Sequence, residues 1–338
     1  MTTRLMTMRL FSERREKMRT RLFYLFVVMV LLIGCTGSST QAESTAINLP
    51  MGYVANVQFT PFYMAKERGY FQKAGFDVSF DYRWETDGIQ LVAAGEIPFA
   101  IASGDQVIQA RSRGLPVVAV AAWYQRFPVA IIALEGTPLR SPEDLRGLSI
   151  GIPETFGASY IGLRALLKAG GLTEADIDLQ AIGYTQLAAL TAGTVDAVVV
   201  YANNEPVVLA QQGTPFNSLY VADYAHIVSA VLVSNDTMVK EQPKVVDAFV
   251  DAFLKGLRDV LDDPDAAFEI SKKYIEGLEE NAAAQRGVLE TSIEYWRAPN
   301  LGRFDADSWQ QAQTVMAEIG LIEQTMPVES LFTNAFVK

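Results

Sequence analysis

The chain of 338 residues carries 39 acidic against 28 basic side chains, a formal net charge of −11, and half of its residues are hydrophobic. This acidic balance argues against binding to nucleic acid or to an anionic membrane surface. Cys35 and His226 are the only cysteine and histidine of the chain, which excludes internal disulfides, thiolate metal sites and metal sites built from several histidines.

The first 34 residues have the order of an export signal. Basic residues precede the apolar run Leu22–Ile33, which is too short to span a bilayer but has the length of a signal-peptide core. Leu32–Cys35 resembles the lipobox at which bacterial signal peptidase II cleaves before a lipid-modified cysteine. We therefore expect a lipoprotein signal peptide over 1–34, with Met1 or Met18 as its start. The alternative is a short membrane anchor with an incidental cysteine.

Residues 35–47 predict a lipidated, flexible tether, because they are small and polar and have little to bury. Without residues 1–34 the chain retains 21 basic and 37 acidic residues, a formal charge of −16. Attachment to the extracytoplasmic side of the cell membrane would then depend on the lipid at Cys35 and not on charge.

The stretch from Leu49 to Phe71 predicts a strand, a polar and aromatic turn, and a helix. Pro61 suits the first helical turn, where its missing N–H has no partner, and Gly69 suits a left-handed helix end. Free backbone N–H groups converge at such a helix start, where α/β proteins bind small ligands. The candidate ligand-binding residues of this stretch are Asn56, Gln58, Phe59 and Tyr63.

Strands and helices continue to alternate up to residue 122, which predicts a parallel sheet with helices on both faces. Strands are expected over 75–82, 97–102 and 117–122, with helices over 89–94 and 107–113. The loops that follow these strands contain polar and aromatic candidates for ligand contact: Trp84, Asp87, Ser103, Asp105, Gln106, Trp123 and Tyr124.

A second unit repeats this plan between residues 148 and 205. Strands are expected over 148–153, 178–182 and 195–200. Thr155–Ser159, at the start of a helix, suits either a ligand's polar edge or a plain helix cap. The candidates in its loops are Thr155, Phe156, Tyr201, Asn203 and Glu205.

Two lobes in tandem are the simplest interpretation of this repeat, because Ala94–Ala100 and Ala192–Val198 share one pattern of helix end, glycine and apolar strand. The extended segments 128–134 and 226–233 are expected to connect the lobes. The C-terminal helices are expected to cover the first lobe, with Trp296 and Trp309 as packing residues. The predicted boundaries are 48–133 with 228–338 for lobe 1, and 134–227 for lobe 2.

Several short motifs within about residues 48–240 are shared with a known family. They are Gly52-Tyr53, Phe62–Phe71, Ala93–Gly95, Ala102–Gln106 and Pro142–Gly147 leading to Gly151. Together they resemble the solute-binding proteins of ABC importers that are related to thiamine-pyrimidine synthases. The resemblance implies an α/β, two-lobed periplasmic-binding-protein-like (type II) fold, with two Rossmann-like lobes on a two-segment hinge. It also implies a lipid-anchored monomer that delivers one small molecule to a permease and its ATPase.

Family members bind alkanesulfonates, taurine, nitrate, thiamine pyrimidine precursors or riboflavin. Asn56–Tyr63, Ser103–Gln106 and Trp123-Tyr124 look most like the vitamin branch. Loop aromatics suit stacking on a flat ring, and Arg83 and Arg126 are the only arginines near these loops, whereas a sulfonate or nitrate binder needs a fixed cation. The loops therefore favour an uncharged heteroaromatic ligand, riboflavin slightly over a formylaminopyrimidine or hydroxymethylpyrimidine, with an alkanesulfonate or taurine as a further alternative.

An enzyme is the main alternative of another class. The pyrimidine synthases related to this family use histidine and clustered cysteines with iron and pyridoxal phosphate. Here Cys35 belongs to the lipobox, and a catalytic triad would have to use His226 in an expected connector. We therefore expect no catalysis, no metal and no cofactor. A signalling or adhesion lipoprotein with the same body is the remaining alternative.

Overall fold

The computed structural model describes residues 44–338. The predicted signal peptide, the lipidation site at Cys35 and most of the predicted tether lie outside these residues. Strand β1 begins at Thr45 and Ile47 is buried in it. The folded body therefore begins inside the range 35–47 that the composition assigns to a tether.

The first half of the fold is built on five strands. Strands β1 and β2 pair in parallel, and β1 lies beside β3. The order of the other three is β3-β10-β4, and β10 runs antiparallel to both neighbours. Their bounds are β1 Thr45–Gly52, β2 Phe76–Trp84, β3 Ala100–Ser103, β4 Val117–Ala122 and β10 Ala230–Asn235.

The second half is a five-stranded sheet of order β7-β6-β8-β5-β9. Strand β6 is parallel to β7 and β8, whereas β5 is antiparallel to β8 and β9. The bounds are β5 Val129–Leu134, β6 Ser149–Ile152, β7 Asp178–Ala181, β8 Ala197–Tyr201 and β9 Phe216–Tyr220.

Helices cover the sheets. Within residues 44–338 no helix combines the length and the apolar character needed to cross a membrane. The helices are α1 Thr60–Glu67, α2 Tyr70–Lys73, α3 Glu85–Ala94, α4 Gly104–Ser112, α5 Gly157–Ala169, α6 Gln186–Thr191, α7 Glu205–Gln211, α8 Asp236–Glu241, α9 Pro243–Asp262, α10 Pro264–Ser271, α11 Ala282–Trp296 and α12 Ala306–Glu318.

The predicted strand, turn and helix between Leu49 and Phe71 are confirmed. Pro61 lies in the first turn of α1, and Gly69 follows the helix with a left-handed φ of 71°. Helix α9 crosses α1 closely, since a Cβ at Gly256 would lie 2.3 Å from the carbonyl oxygen of Pro61. A glycine is therefore required where α9 packs on the helix that leads from the first strand.

The chain crosses between the halves twice, over 123–128 and 221–229. Most of the two expected connectors, 128–134 and 226–233, belongs instead to strands β5 and β10. Both strands are buried along nearly their whole length and pair on both edges. A strand covered on both faces reads as a continuous apolar run, which explains the error. Strand pairing therefore places residues 129–133 with the second sheet.

The C-terminal helices cover more than the first half. Helices α9 and α10 pack on α1, as expected, but α11 packs on both the 3₁₀ turn Val57–Phe59 and helix α7. Trp296 and Trp309 are fully buried, which confirms their packing role. Helix α11 thus bridges the two halves behind the region where their strand ends meet.

Candidate functional site

A cleft of about 790 Å³, its open mouth included, lies between the two halves. The first half contributes the end of β1, the 3₁₀ turn before α1 and the junction of β2 with α3. The second half contributes the loop before α5 and the loop between β8 and α7. These are the loops that follow strand ends, where α/β folds bind ligands.

Aromatic rings form the inner wall of the cleft. Phe59 and Trp123 lie 5.4 Å apart with planes inclined by 32°, and Trp123 contacts Tyr124 edge-on at 4.9 Å. Tyr201 from the second half meets Tyr124 edge-on at 6.4 Å. All four rings line the cleft, so a flat ligand placed there has an aromatic wall to stack on.

Rings from the two halves touch at the mouth of the cleft. Tyr53 contacts Tyr184 edge-on at 4.6 Å, and Trp84 stacks on Tyr184 at 5.5 Å and contacts Phe156 at 5.7 Å. Trp84 and Tyr184 stay partly exposed, at 43% and 37%. The two walls therefore meet through aromatic contacts at the solvent boundary.

Glu85 ties three elements of the first half together. Ser103 donates to its Oε2 through both the backbone N–H, at 3.0 Å, and Oγ, at 2.6 Å. Gly52 ends β1 with a φ of 79°, and a Cβ there would lie 2.7 Å from Glu85 Cγ. The glycine thus allows the end of β1 to approach a carboxyl that is bonded to the end of β3.

Three carboxyls line the cleft, and burial raises the pKa of each. The pKa of Glu85 is raised to about 7 by burial and by nearby Asp105, and that of Glu154 to about 8 by burial, Glu85 and Asp105. Burial also raises the pKa of Glu205 to about 7 and that of Asp105, behind the wall, to about 6. No lysine or arginine between residues 44 and 338 lines the cleft. The three carboxyls that line the cleft are therefore only partly ionised near neutral pH.

Several buried polar atoms at the cleft have no hydrogen-bond partner within the part of the chain that the structure describes. They are Gln58 Nε2, Trp123 Nε1 and Glu154 Oε2. A buried polar group without a partner costs free energy, so a ligand that bonds these atoms would be stabilised by them.

Half of the sixteen predicted ligand-binding residues line the cleft. They come from both halves, and their role in ligand binding stays a prediction. The eight are Gln58, Phe59, Trp84, Trp123, Tyr124, Phe156, Tyr201 and Glu205.

The other eight predicted residues lie outside the cleft lining. Tyr63 is buried in the core, where it stacks on Tyr274 at 4.3 Å and its hydroxyl bonds that of Tyr82. Asp87 and Thr155 are exposed away from the cleft. The remaining five support the wall or cap a turn: Asn56, Ser103, Asp105, Gln106 and Asn203.

These five have clear structural roles. Asn56 accepts from the Gln58 N–H and so caps the 3₁₀ turn. Gln106 bonds the Asp105 carboxylate behind the wall. Asn203 donates to the Tyr124 hydroxyl at 3.0 Å and to Ser292 at 2.7 Å, so it fixes a cleft ring from behind.

Other residues of the lining were not predicted from the sequence, chiefly Tyr53, Glu85, Glu154, Tyr184 and Gln186. Tyr53 directly follows β1, and Glu85 directly follows Trp84, so their position beside predicted candidates was the available signal. Tyr184 lies in the loop after β7, which contains no other candidate.

A family profile described as NMT1/THI5 like matches residues 56–267 of this chain. The chain belongs to this family. The predicted relation to thiamine-pyrimidine synthesis is therefore confirmed.

Two relatives in the family are binding proteins by name. The riboflavin-binding protein RibY of Chloroflexus aurantiacus is 37% identical over 345 residues, covering 95% of this chain and 98% of that protein. The formylaminopyrimidine-binding protein of Halalkalibacterium halodurans is 30% identical over 331 residues, covering 93% and 98%. A 4-amino-5-hydroxymethyl-2-methylpyrimidine phosphate synthase of Aspergillus parasiticus is 23% identical over 293 residues, covering 82% and 83%.

A solved structure shows the fold. The periplasmic aliphatic sulphonate binding protein SsuA of Escherichia coli superposes with a TM-score of 0.69 at 15% identity, covering 88% of this chain and 94% of that one. This likeness confirms the predicted α/β, two-lobed periplasmic-binding-protein-like (type II) fold.

Proposed function

We propose that this chain is the solute-binding protein of an ABC importer and that it captures a flat, uncharged heteroaromatic vitamin, with riboflavin favoured. The observation that carries this proposal is the cleft itself. Aromatic rings face it from both halves, its unpaired buried atoms are neutral or carboxyl groups, and no cation lines it among residues 44–338. The relative named for riboflavin, at 37% identity over nearly the whole chain, supports the same ligand.

A thiamine pyrimidine precursor is the second candidate. The relative named for formylaminopyrimidine supports it, and a pyrimidine would stack on the same rings. The number of aromatic rings in the cleft, together with carboxyl and amide groups that suit the hydroxyls of a ribityl chain, favours riboflavin. An alkanesulfonate or taurine lacks the cation that it would need here.

The ligand-binding residues that we propose are the eight predicted residues that line the cleft. Phe59, Trp123 and Tyr201 supply stacking surface, while Gln58 and the Trp123 indole supply hydrogen-bond donors. Aromatic pairs add about 0.5–1.5 kcal/mol beyond the area they bury. Recognition thus depends on ring stacking and a few neutral donors.

Capture proceeds by closure of the two halves, which act as lobes about the crossovers 123–128 and 221–229. A ligand that contacts both walls favours the closed form through its higher affinity for that form. The closed monomer then docks on the permease, whose ATPase drives release. We propose that lobe 2 begins at Val129 and not at residue 134, which the pairing of β5 with β8 and β9 supports.

We also propose that the protein is held on the extracytoplasmic face of the cell membrane by lipid on Cys35. The support is the order of basic region, apolar run and lipobox in the sequence. Replacement of Cys35 by alanine should move the protein from the membrane fraction to the soluble fraction and abolish labelling by radioactive palmitate.

The protein performs no chemistry on its ligand in this proposal. His226 is exposed, bonds Asp305 at 2.7 Å and lies outside the cleft lining. Purified protein incubated with riboflavin should return it unchanged, and any product would contradict this part of the proposal.

The direct test is to identify the ligand that the protein carries from the cell. Protein purified from a riboflavin-fed culture is denatured, and the extract is examined by absorption and mass spectrometry. A yellow, fluorescent extract of riboflavin mass is the expected result. A thermal-shift comparison of riboflavin, formylaminopyrimidine and an alkanesulfonate then ranks the candidates, and stabilisation by the sulfonate alone would overturn the proposal.

A further inference from the structure

Two carboxyls from opposite halves converge at the start of helix α5. A Cβ added to Gly157 would lie 3.9 Å from Glu85 Oε2, 4.0 Å from Glu154 Oε1 and 4.0 Å from Ser103 Oγ. Glu85 and Ser103 belong to the first half, whereas Glu154 precedes α5 in the second. Closure of the cleft therefore places two like acids around one small space.

Glu85 and Glu154 differ in their hydrogen-bond partners. Glu85 Oε2 accepts two hydrogen bonds from Ser103, but Glu154 Oε2 is buried and has no partner within residues 44–338. Gln58 and Trp123, 6% and 3% exposed, also present unpaired donors in the same cleft. These nearly buried, unpaired atoms indicate that a ligand completes the site, and that Glu154 contacts it.

The groups that face Glu154 make this end of the cleft acidic. Glu85 and Asp105 face it from the first half. The other titratable groups of the cleft are Glu205 and three tyrosines whose hydroxyls interact electrostatically with Glu154: Tyr53, Tyr184 and Tyr201. The feature that favours an anion is the N-terminal turn of α5, through its free N–H groups. Glu154 lies three residues before Gly157, the first residue of that helix, and its charge offsets the helix terminus.

Resting on the proposed function, we propose that Glu154, opposed by Glu85 across the cleft, is a specificity-determining residue that makes the site select an unphosphorylated ligand over its phosphate ester. Its free oxygen accepts a hydroxyl or N–H of the ligand. A phosphate monoester carries about −1.5 to −2 charges at pH 7, and no basic side chain between residues 44 and 338 lines the cleft to neutralise it.

The selectivity depends on pH through the charges of the cleft carboxyls. Burial, Glu85 and Asp105 raise the pKa of Glu154 to about 8, and the pKa values of Glu85 and Glu205 are raised to about 7, so all three lose protons between pH 6 and pH 8. A phosphate monoester, with a second pKa of about 6, gains negative charge over the same range. The repulsion of a phosphate therefore grows as the pH rises from 6 to 8, and Glu154→Gln removes the part of it that is due to Glu154.

The test is a titration of the detergent-solubilised mature protein with riboflavin and with riboflavin 5′-phosphate, at pH 6 and pH 8. Wild-type protein should prefer riboflavin by about tenfold or more at pH 8, as expected for uncompensated like charges in a partly buried site. Glu154→Gln should narrow that preference several-fold at pH 8 and show a weaker pH dependence. Glu135→Gln removes the same charge from an exposed position outside the cleft and should leave the preference unchanged.

An unchanged preference in Glu154→Gln, or equal affinity of the wild-type protein for both ligands, would overturn the inference. Thermal melting of the variant confirms that it is folded, and the difference in pH dependence between the wild type and Glu154→Gln isolates the repulsion due to Glu154 from that of the other cleft carboxyls. Failure of wild-type protein to bind either ligand would overturn the proposed function, and the inference with it.

Discussion

The two walls of the cleft are built in different ways. In the first half, Phe59 and Trp123 are almost fully buried, and Trp123 also packs edge-on against Phe62 behind the cleft. In the second half, Tyr184 is partly exposed, and its ring contacts are with Tyr53 and Trp84 of the opposite half. The core thus holds one wall in place, whereas the rim of the other is completed by contact between the halves.

This difference suggests that one wall serves ligand affinity and the other serves closure of the cleft. Rings that the core holds in place bind a ligand without losing much side-chain freedom on binding, which favours affinity. Rings at the mouth stabilise closure and contact the ligand less. Substitutions in the first wall should therefore cost both fold stability and affinity, and those at the mouth chiefly closure.

The largest effect is expected for Trp123→Ala. The ring packs on Phe59, Phe62 and Trp296, so its loss should destabilise the fold by about 3–5 kcal/mol and abolish measurable binding. Chemical denaturation and ligand titration measure the two effects. The milder Trp123→Phe keeps an aromatic ring but removes the unpaired Nε1 donor, and unchanged affinity in both variants would contradict a stacking role.

A matched pair of tyrosines sharpens the comparison. Tyr201 lines the cleft, whereas Tyr63 is buried outside it against Tyr274. Tyr201→Ala should raise Kd by about tenfold, in the range of a well-packed aromatic contact. Tyr63→Ala should lower stability by about 3–5 kcal/mol, as for other buried aromatics, with little change in Kd for the folded fraction. Ligand titration and chemical denaturation measure the two effects. A larger loss of affinity in Tyr63→Ala than in Tyr201→Ala would show that the cleft is assigned wrongly.

Tyr184→Ala tests the mouth. Loss of its two ring contacts should raise Kd by about two- to tenfold, the equivalent of one or two aromatic pairs, while the melting temperature falls little. Small-angle scattering of the ligand-bound protein should show a larger radius of gyration than in the wild type. The variant Tyr184→Phe, which keeps the ring, should behave as the wild type, and an equally compact alanine variant would argue against a role in closure.

The stability of the ligand-free protein should also depend on pH. Raised pKa values of Glu85, Glu154 and Glu205 mean that the folded state holds more protons than the unfolded state between about pH 4.5, the ordinary carboxyl value, and pH 8. Stability should therefore fall as the pH rises through this window. Melting curves from pH 5 to 8 measure it, and Glu154→Gln should flatten the fall. A stability that rises with pH in both proteins would contradict protonated cleft acids.

Local rules predicted the frame of the site. Pro61 and Gly69 mark the ends of α1 and its linker because each has a backbone preference that acts within one turn. The polar loops after strands were also placed correctly, since parallel strands carry their loops to one edge of a sheet. These features depend on neighbours in sequence and are visible in the chain alone.

Whether an individual side chain points into the cleft or into the core behind it was not predictable from the sequence. Asn203 and Asn204 are adjacent, yet Asn203 bonds Tyr124 and Ser292 behind the wall while Asn204 lines the cleft. Tyr63 lies four residues after Phe59, a spacing that would place both side chains on one face of a continuous α-helix. The chain passes from a 3₁₀ turn into α1 between them, so the two side chains do not point the same way. Contacts with distant elements decide these positions.

The central claim is tested most directly by titrating the purified protein with riboflavin while recording the quenching of flavin fluorescence. Stacking of the flavin ring on the aromatic wall that contains Phe59, Trp123 and Tyr201 predicts saturable quenching at one ligand per protein, lost in Trp123→Ala. Absence of saturable quenching, together with binding of an alkanesulfonate by the same preparation, would contradict the account.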